Sequence, residues 1–189
     1  MYGSLPPTLL SVTRVTRPSD FAHTRTLFEA YAASLSVSLD FQNFTMELET
    51  LGSRTSAYGP PGGGIWLAWG LPHEPLGVVA LRSLPHLGPE ICEMKRLYVN
   101  PAARGLGVGR VLIKKVIEEA CLRGYKAMML DTLSTMTAAR RLYEEAGFGE
   151  CERYYGNEYE GVVFMRLDLG RVVLDSEAVW RVYGAFGGE

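Results

Sequence analysis

Residues 101–110, PAARGLGVGR, place Gly105, Gly107 and Gly109 on alternate positions between Arg104 and Arg110, just after the apolar run Leu97–Val99. Glycine costs conformational entropy wherever nothing requires it. A strand, a glycine-rich loop and a helix in that order make an anion-binding arrangement. The first-turn N–H groups and the positive end of the helix dipole both point into the loop. Glycines let a phosphate reach those N–H groups, and the two arginines add charge. The same glycines also suit a tight strand-to-helix turn with no ligand at all. A Walker A loop is excluded, because no Gly-Lys-Ser/Thr occurs. Counted from Gly105, a dinucleotide fingerprint needs glycine where Arg110 stands. Asp131 lies where a ribose-binding acid would sit, but NPAA and Arg104 separate Val99 from the first glycine. That fingerprint follows its strand directly.

The elements that position this loop are read from periodicity. Leu9–Val15 reads as a strand, and the stretch from Pro18 to Leu35 as a helix with Pro18 and Ser19 as start signals. A shorter helix is expected in FQNFTMELETLG, closed by Gly52, and SAYGPPGGG is a turn-rich loop. IWLAWG and PLGVVALRSL read as a hairpin. In EICEMKRLYV, Cys92 and Met94 share a face, yet the next apolar pair is Leu97 and Val99. A step of three where two is expected predicts a β-bulge near Lys95–Arg96; the alternative is a strand buried on both faces. VGRVLIKKVIEEACLRG is a strongly patterned helix ending at Gly124, and KAMMLDTL a buried strand. A helix opened by Ser134 or Thr135 and closed by Gly147 follows, then strands in FGECERYY and GVVFMRLDL. The tail has weak helical character over Glu177–Tyr183. Strands and helices in this order give a mixed α/β (α+β) sheet with helices on its faces.

The 189 residues suit one domain able to bury roughly 70% of its unfolded surface. A net charge of −2 is no electrostatic footprint for nucleic acid. Cys92, Cys121 and Cys151 have no CxxC pairing, and the first two sit in apolar patterns that predict buried free thiols. His23, His73 and His86 are dispersed, so no metal is expected. The first residues lack a basic start and a long apolar core, and the stretch Ile65–Leu71 is far too short to span a bilayer. These features predict a soluble, cytoplasmic chain with no membrane or nucleic-acid partner; a homodimer is compatible with them.

Arg104, Gly107 and Gly109 match the acyl-CoA-binding signature [RQ]-x-x-G-x-[GA], and the segment from Cys92 to Ile113 followed by GYKAMMLDTLSTMTAARRLYEEAGF extends the likeness. In that ordered context the chain resembles the GNAT superfamily of N-acyltransferases, over roughly residues 10–169. Residues 1–9 are then an N-terminal extension and 170–189 a C-terminal tail. The resemblance implies a splayed GNAT-like sheet. It implies acetyl-CoA as co-substrate, with pyrophosphate on the backbone of Arg104, Gly105, Leu106, Gly107, Val108, Gly109 and Arg110, and pantetheine along Leu97, Tyr98 and Val99. A bulge fits this, because a displaced strand leaves a peptide N–H near Leu97 or Tyr98 to polarise the thioester carbonyl.

The resemblance also implies Glu93 as general base, usually through water. The other reading of Glu93 is an exposed strand carboxylate paired with Lys95. Tyr143 matches the tyrosine that commonly protonates the CoA sulfur, although periodicity alone makes it a core residue. Many relatives carry Asn where Met136 stands, so a polar contact to CoA falls to Ser134 or Thr135 or is absent. Candidate acceptor walls are Asp40–Phe44, including Phe41 and Gln42, together with Tyr58 and Tyr154–Gly161, including Tyr155 and Glu158. The expected reaction is direct acetyl transfer to a primary amine of a small molecule. Acetylation of protein N-termini or lysines, and acyl-CoA binding without turnover, are the alternatives.

Overall fold

The computed structural model describes residues 10–156, 159–173 and 181–182. Strand β1 is Ser11–Arg14, β2 Gly64–Gly70 and β3 Glu74–Ser83. β4 covers Ile91–Val99, β5 Ala127–Leu133, β6 Gly149–Glu150 and β7 Val162–Asp168. They pair in the order β1-β2-β3-β4-β5-β7-β6. Pairing is antiparallel at β1–β2, β2–β3, β5–β7 and β6–β7, and parallel at β4–β5. Among the described residues four α-helices accompany the strands: α1 (Pro18–Ser34), α2 (Phe44–Glu49), α3 (Val108–Leu122) and α4 (Thr137–Glu145). This is the mixed α/β architecture that the order of elements predicts.

Local chemistry explains the helix starts. Pro18 pre-sets the backbone angle of the first turn of α1. The N–H and Nε of Arg17 both donate to Asp20 Oδ2 at 3.3 Å, closing the end. α4 begins later than expected, with Met136 at its N-cap. The backbone N–H of Ser134, two residues before that cap, donates to the Gly161 carbonyl at 2.7 Å. That distant partner is invisible to local pattern.

The described chain groups into two compact units: residues up to 82 with 94–116, and residues 83–93 with those from 117 onward. In the first unit Leu27, Phe28, Leu67, Val78, Ala80 and Tyr98 belong to one hydrophobic cluster, with Phe21, Tyr31, Phe44 and Leu48 packed against it. Tyr58, expected as an acceptor wall, is 4% exposed and part of that cluster, its ring edge-on to Phe28. In the second unit Met128, Leu130, Met165 and Leu167 are fully buried on neighbouring strands β5 and β7.

Several expectations are corrected. The strand expected through Tyr155 stops at Glu150. Cys151 still donates to the Phe164 carbonyl, after which the rings of Tyr154 and Tyr155 turn edge-on against Phe164. Cys92 is a buried free thiol, but Cys121 is only half-buried. Arg181–Val182 pairs as a strand with Val172–Val173 where helical character was expected. The rest of the expected tail helix, and the extension over residues 1–9, lie outside the described residues. Among the described residues no helix is long and apolar enough to cross a membrane.

Candidate active site

β4 holds Glu93 and the Leu97–Val99 stretch, the candidate residues before the loop. Its parallel ladder with β5 joins Ile91 to Ala127, Cys92 to Met128 and Glu93 to Met129. Glu93 is fully buried. A buried carboxylate needs donors, and Tyr154 supplies one: its hydroxyl donates to Glu93 Oε1 at 2.7 Å. Burial pushes the Tyr154 phenol far above its ordinary value, and the charges of Glu93 and Asp131 push it further. Tyr154 therefore stays protonated and remains a donor. The reading of Glu93 as an exposed carboxylate is overturned, since Glu93 and Lys95 are both buried.

Three residues further along β4, Arg96 takes φ +56°, a left-handed conformation that side chains with a Cβ rarely adopt. The step of three in the apolar pattern located this irregularity, and β4 is also buried on both faces around it. The Arg96 side chain enters a clamp the sequence did not reveal. Arg96 Nε and Nη2 donate to the two carboxylate oxygens of Glu47 at 2.8 and 2.7 Å, and Nη1 donates to Gln42 Oε1 at 2.9 Å. Phe44 and Tyr31 face the guanidinium at 5.3 and 5.9 Å. Burial works against the charge of Arg96, but hydrogen bonds to Glu47 and nearby negative charge push its pKa above the ordinary value. Gln42, expected to line the acceptor site, thus has its carbonyl oxygen engaged with Arg96.

Beyond β4 comes the glycine loop. Gly105 and Gly107 take φ +79° and +83°, so both need glycine for backbone reasons. A Cβ built on either meets nothing within 4 Å. The loop therefore leaves open space beside the start of α3. Val111 N–H is bonded back to Gly107 at 3.2 Å, so the N–H groups of Val108 and Gly109 before it have no acceptor within the helix. Arg104 Nε donates to the Val99 carbonyl at 3.3 Å and ties the loop to the strand end. Gly109 and Val108 are buried, Leu106 is half-buried, and Arg104 and Arg110 are exposed. These residues fit a pyrophosphate: N–H donors at a helix start, room for approach, and two cations.

Tyr143 lies on α4, 7% exposed, with its ring edge-on to Phe148 at 6.1 Å. Tyr155 is half-buried and packs edge-on against Tyr154 and Phe164. Leu97 and Val99 are half-buried and Tyr98 buried. Met136 accepts a weak 3.8 Å hydrogen bond from Thr132 at its sulfur. Glu158 and the Phe41 side chain lie outside the described residues. Sequence reasoning missed the Arg96–Glu47 pair and the Tyr154–Glu93 bond. The only signal for either was a charged residue at an otherwise apolar strand position. No cluster of His, Cys, Asp and Glu suited to a metal occurs among the described residues.

Comparison with known proteins gives these features a context. The family model "Acetyltransferase (GNAT) family" matches residues 26–148. An uncharacterized N-acetyltransferase of Schizosaccharomyces pombe is 39% identical over 167 residues, 88% of this chain and 99% of that protein. Human N-acetylaspartate synthetase is 37% identical over 89 residues, 47% of this chain and 28% of that protein. A GNAT-family acetyltransferase from Staphylococcus aureus shares the fold with TM-score 0.69 and 20% identity, over 85% of this chain and 99% of that one. An acetyltransferase from Salmonella typhimurium, solved with its cofactor acetyl-CoA, has TM-score 0.61 and 19% identity over 90% of this chain and 97% of that one. The chain belongs to the GNAT family and is a GNAT-type N-acetyltransferase.

Proposed function

We propose that the protein transfers an acetyl group directly from acetyl-CoA to the primary amine of a small molecule. The observation that carries this reading is the loop: left-handed Gly105 and Gly107 leave open space beside the start of α3. Bound there, acetyl-CoA supplies an activated acetyl thioester. Backbone N–H groups from Arg104 to Arg110 hold its pyrophosphate, and the Leu97–Val99 edge of β4 aligns its pantetheine arm. A peptide N–H near Leu97 or Tyr98, just after the left-handed Arg96, would polarise the thioester carbonyl, where a donor stabilises developing negative charge. Glu93 takes the proton the attacking amine must lose, and the Tyr143 hydroxyl gives one to the departing sulfur.

A small acceptor is favoured by relatives named for N-acetylaspartate, an acetylated amino acid. Action in the cytoplasm is part of the same proposal and rests on the ordinary composition of the chain. Thiol release from acetyl-CoA tests it against a panel: L-aspartate, other amino acids, spermidine, an aryl amine and an unacetylated peptide. Acetylated small amine identified by mass supports the reading. Acetylation of the peptide alone replaces it with a protein acetyltransferase, and acetyl-CoA binding without turnover on any amine replaces it with a sensor.

A further inference from the structure

Glu93 is a base with no solvent contact: the residue is 0% exposed. A proton leaving an acceptor must reach it through another group. Tyr154 is half-buried and its hydroxyl is already bonded to Glu93 Oε1 at 2.7 Å. A hydroxyl that donates one proton keeps lone pairs free to accept another. The ring is fixed by edge-on contacts with Tyr155 at 5.2 Å and Phe164 at 5.0 Å. A rigid ring holds the oxygen in place, as proton transfer at hydrogen-bond distance requires. The Tyr154 hydroxyl stands at hydrogen-bond distance from Glu93, where a proton can be passed on.

We propose that Tyr154 is a further catalytic residue that relays the acceptor's proton to Glu93. The inference rests on Glu93 being the base. As the amine nitrogen bonds to the acetyl carbon, its N–H bond breaks and the proton forms a new bond to Tyr154 Oη. The original Tyr154 proton passes at the same time to Glu93 Oε1. Tyrosine is neutral before and after, and Glu93 ends protonated, so the net event is one proton moved from nitrogen to carboxylate. Glu93 returns that proton to solvent by the reverse path once product has left. Because burial and the charges of Glu93 and Asp131 oppose a phenolate, the two transfers are concerted rather than stepwise.

The test uses Tyr154→Phe, which keeps the ring and deletes the hydroxyl. Turnover with the best amine of the panel is expected to fall about 10²-fold, with acetyl-CoA affinity by calorimetry unchanged. Glu93→Gln combined with Tyr154→Phe should be no slower than Glu93→Gln alone, since residues acting as a unit are not additive. An infrared carboxylate band, assigned to Glu93 by its loss in Glu93→Gln, should shift in Tyr154→Phe without any substrate present. If Glu93→Gln turns over at the parental rate, the base assignment and the relay fall together. If Glu93→Gln is slow but Tyr154→Phe is parental, or the two losses add, the relay alone is overturned. Should Tyr154→Phe not fold, kcat/KM of the parent in mixtures of light and heavy water decides. A curved dependence, from two protons in flight, supports the relay and a linear one overturns it. No turnover with any panel amine removes both claims.

Discussion

A carboxylate with no solvent exposure, such as Glu93, is costly to keep charged unless donors reach it. Its 2.7 Å bond from Tyr154 shows one such donor. Tyr143 sits in a different situation, packed on Phe148 and 7% exposed. Tyr143→Phe keeps that packing and removes the proton, so turnover should fall by about 10²–10⁴-fold. The loss should shrink for thioesters with more acidic thiols, which leave without help. Measured rates across a thioester series check this; equal losses for all leaving groups would return Tyr143 to the core. At the loop, Gly107→Glu puts a carboxylate into open space and forces a side chain into φ +83°. CoA affinity should fall at least tenfold, about 1.4 kcal/mol, while the fold survives. Calorimetric titration measures it, and unchanged binding in a folded variant would remove the phosphate assignment.

At the scale of elements, β4 and α2 are joined by a buried ion pair between Arg96 and Glu47. Arg96 and Glu47 are 2% and 8% exposed at their side chains, and Gln42 completes the clamp. Removing one partner of a buried pair leaves the other uncompensated, which costs about 3–5 kcal/mol. Arg96→Met should lose that much in urea denaturation. Arg96→Met with Glu47→Leu should recover part of it, because no lone charge remains. A double variant less stable than the single would show that the clamp works by packing alone. The irregularity at Arg96 was legible, since a strand alternates every second residue and Leu97 breaks the count. The clamp was not, because Glu47 and Arg96 are 49 positions apart. The same limit hid the bond from Ser134 to Gly161 just before α4. It also hid Tyr154, whose strand-like sequence leaves the ladder after Cys151 to pack on Phe164.

For the whole molecule, the candidate residues from Glu93 to Arg110 are continuous in sequence along one strand and the loop after it. Glu93 stands at the last registered pair with β5, the left-handed Arg96 follows, and Arg104 ties the glycine loop back to Val99. The order of strands and helices was readable because it follows local periodicity and glycine stops. The acceptor was not, because amine recognition depends on side chains gathered from separated segments, and no short spacing encodes them. The central claim is that this chain binds acetyl-CoA at the loop and uses Glu93 to deprotonate an amine. Parallel measurement of turnover and acetyl-CoA affinity for the parent and Glu93→Gln tests it most directly. Glutamine keeps the shape and loses the basicity. Turnover with the best panel amine should drop by about 10²–10⁴-fold while the calorimetric acetyl-CoA affinity stays at the parental value. Parental turnover in a folded Glu93→Gln would contradict the account.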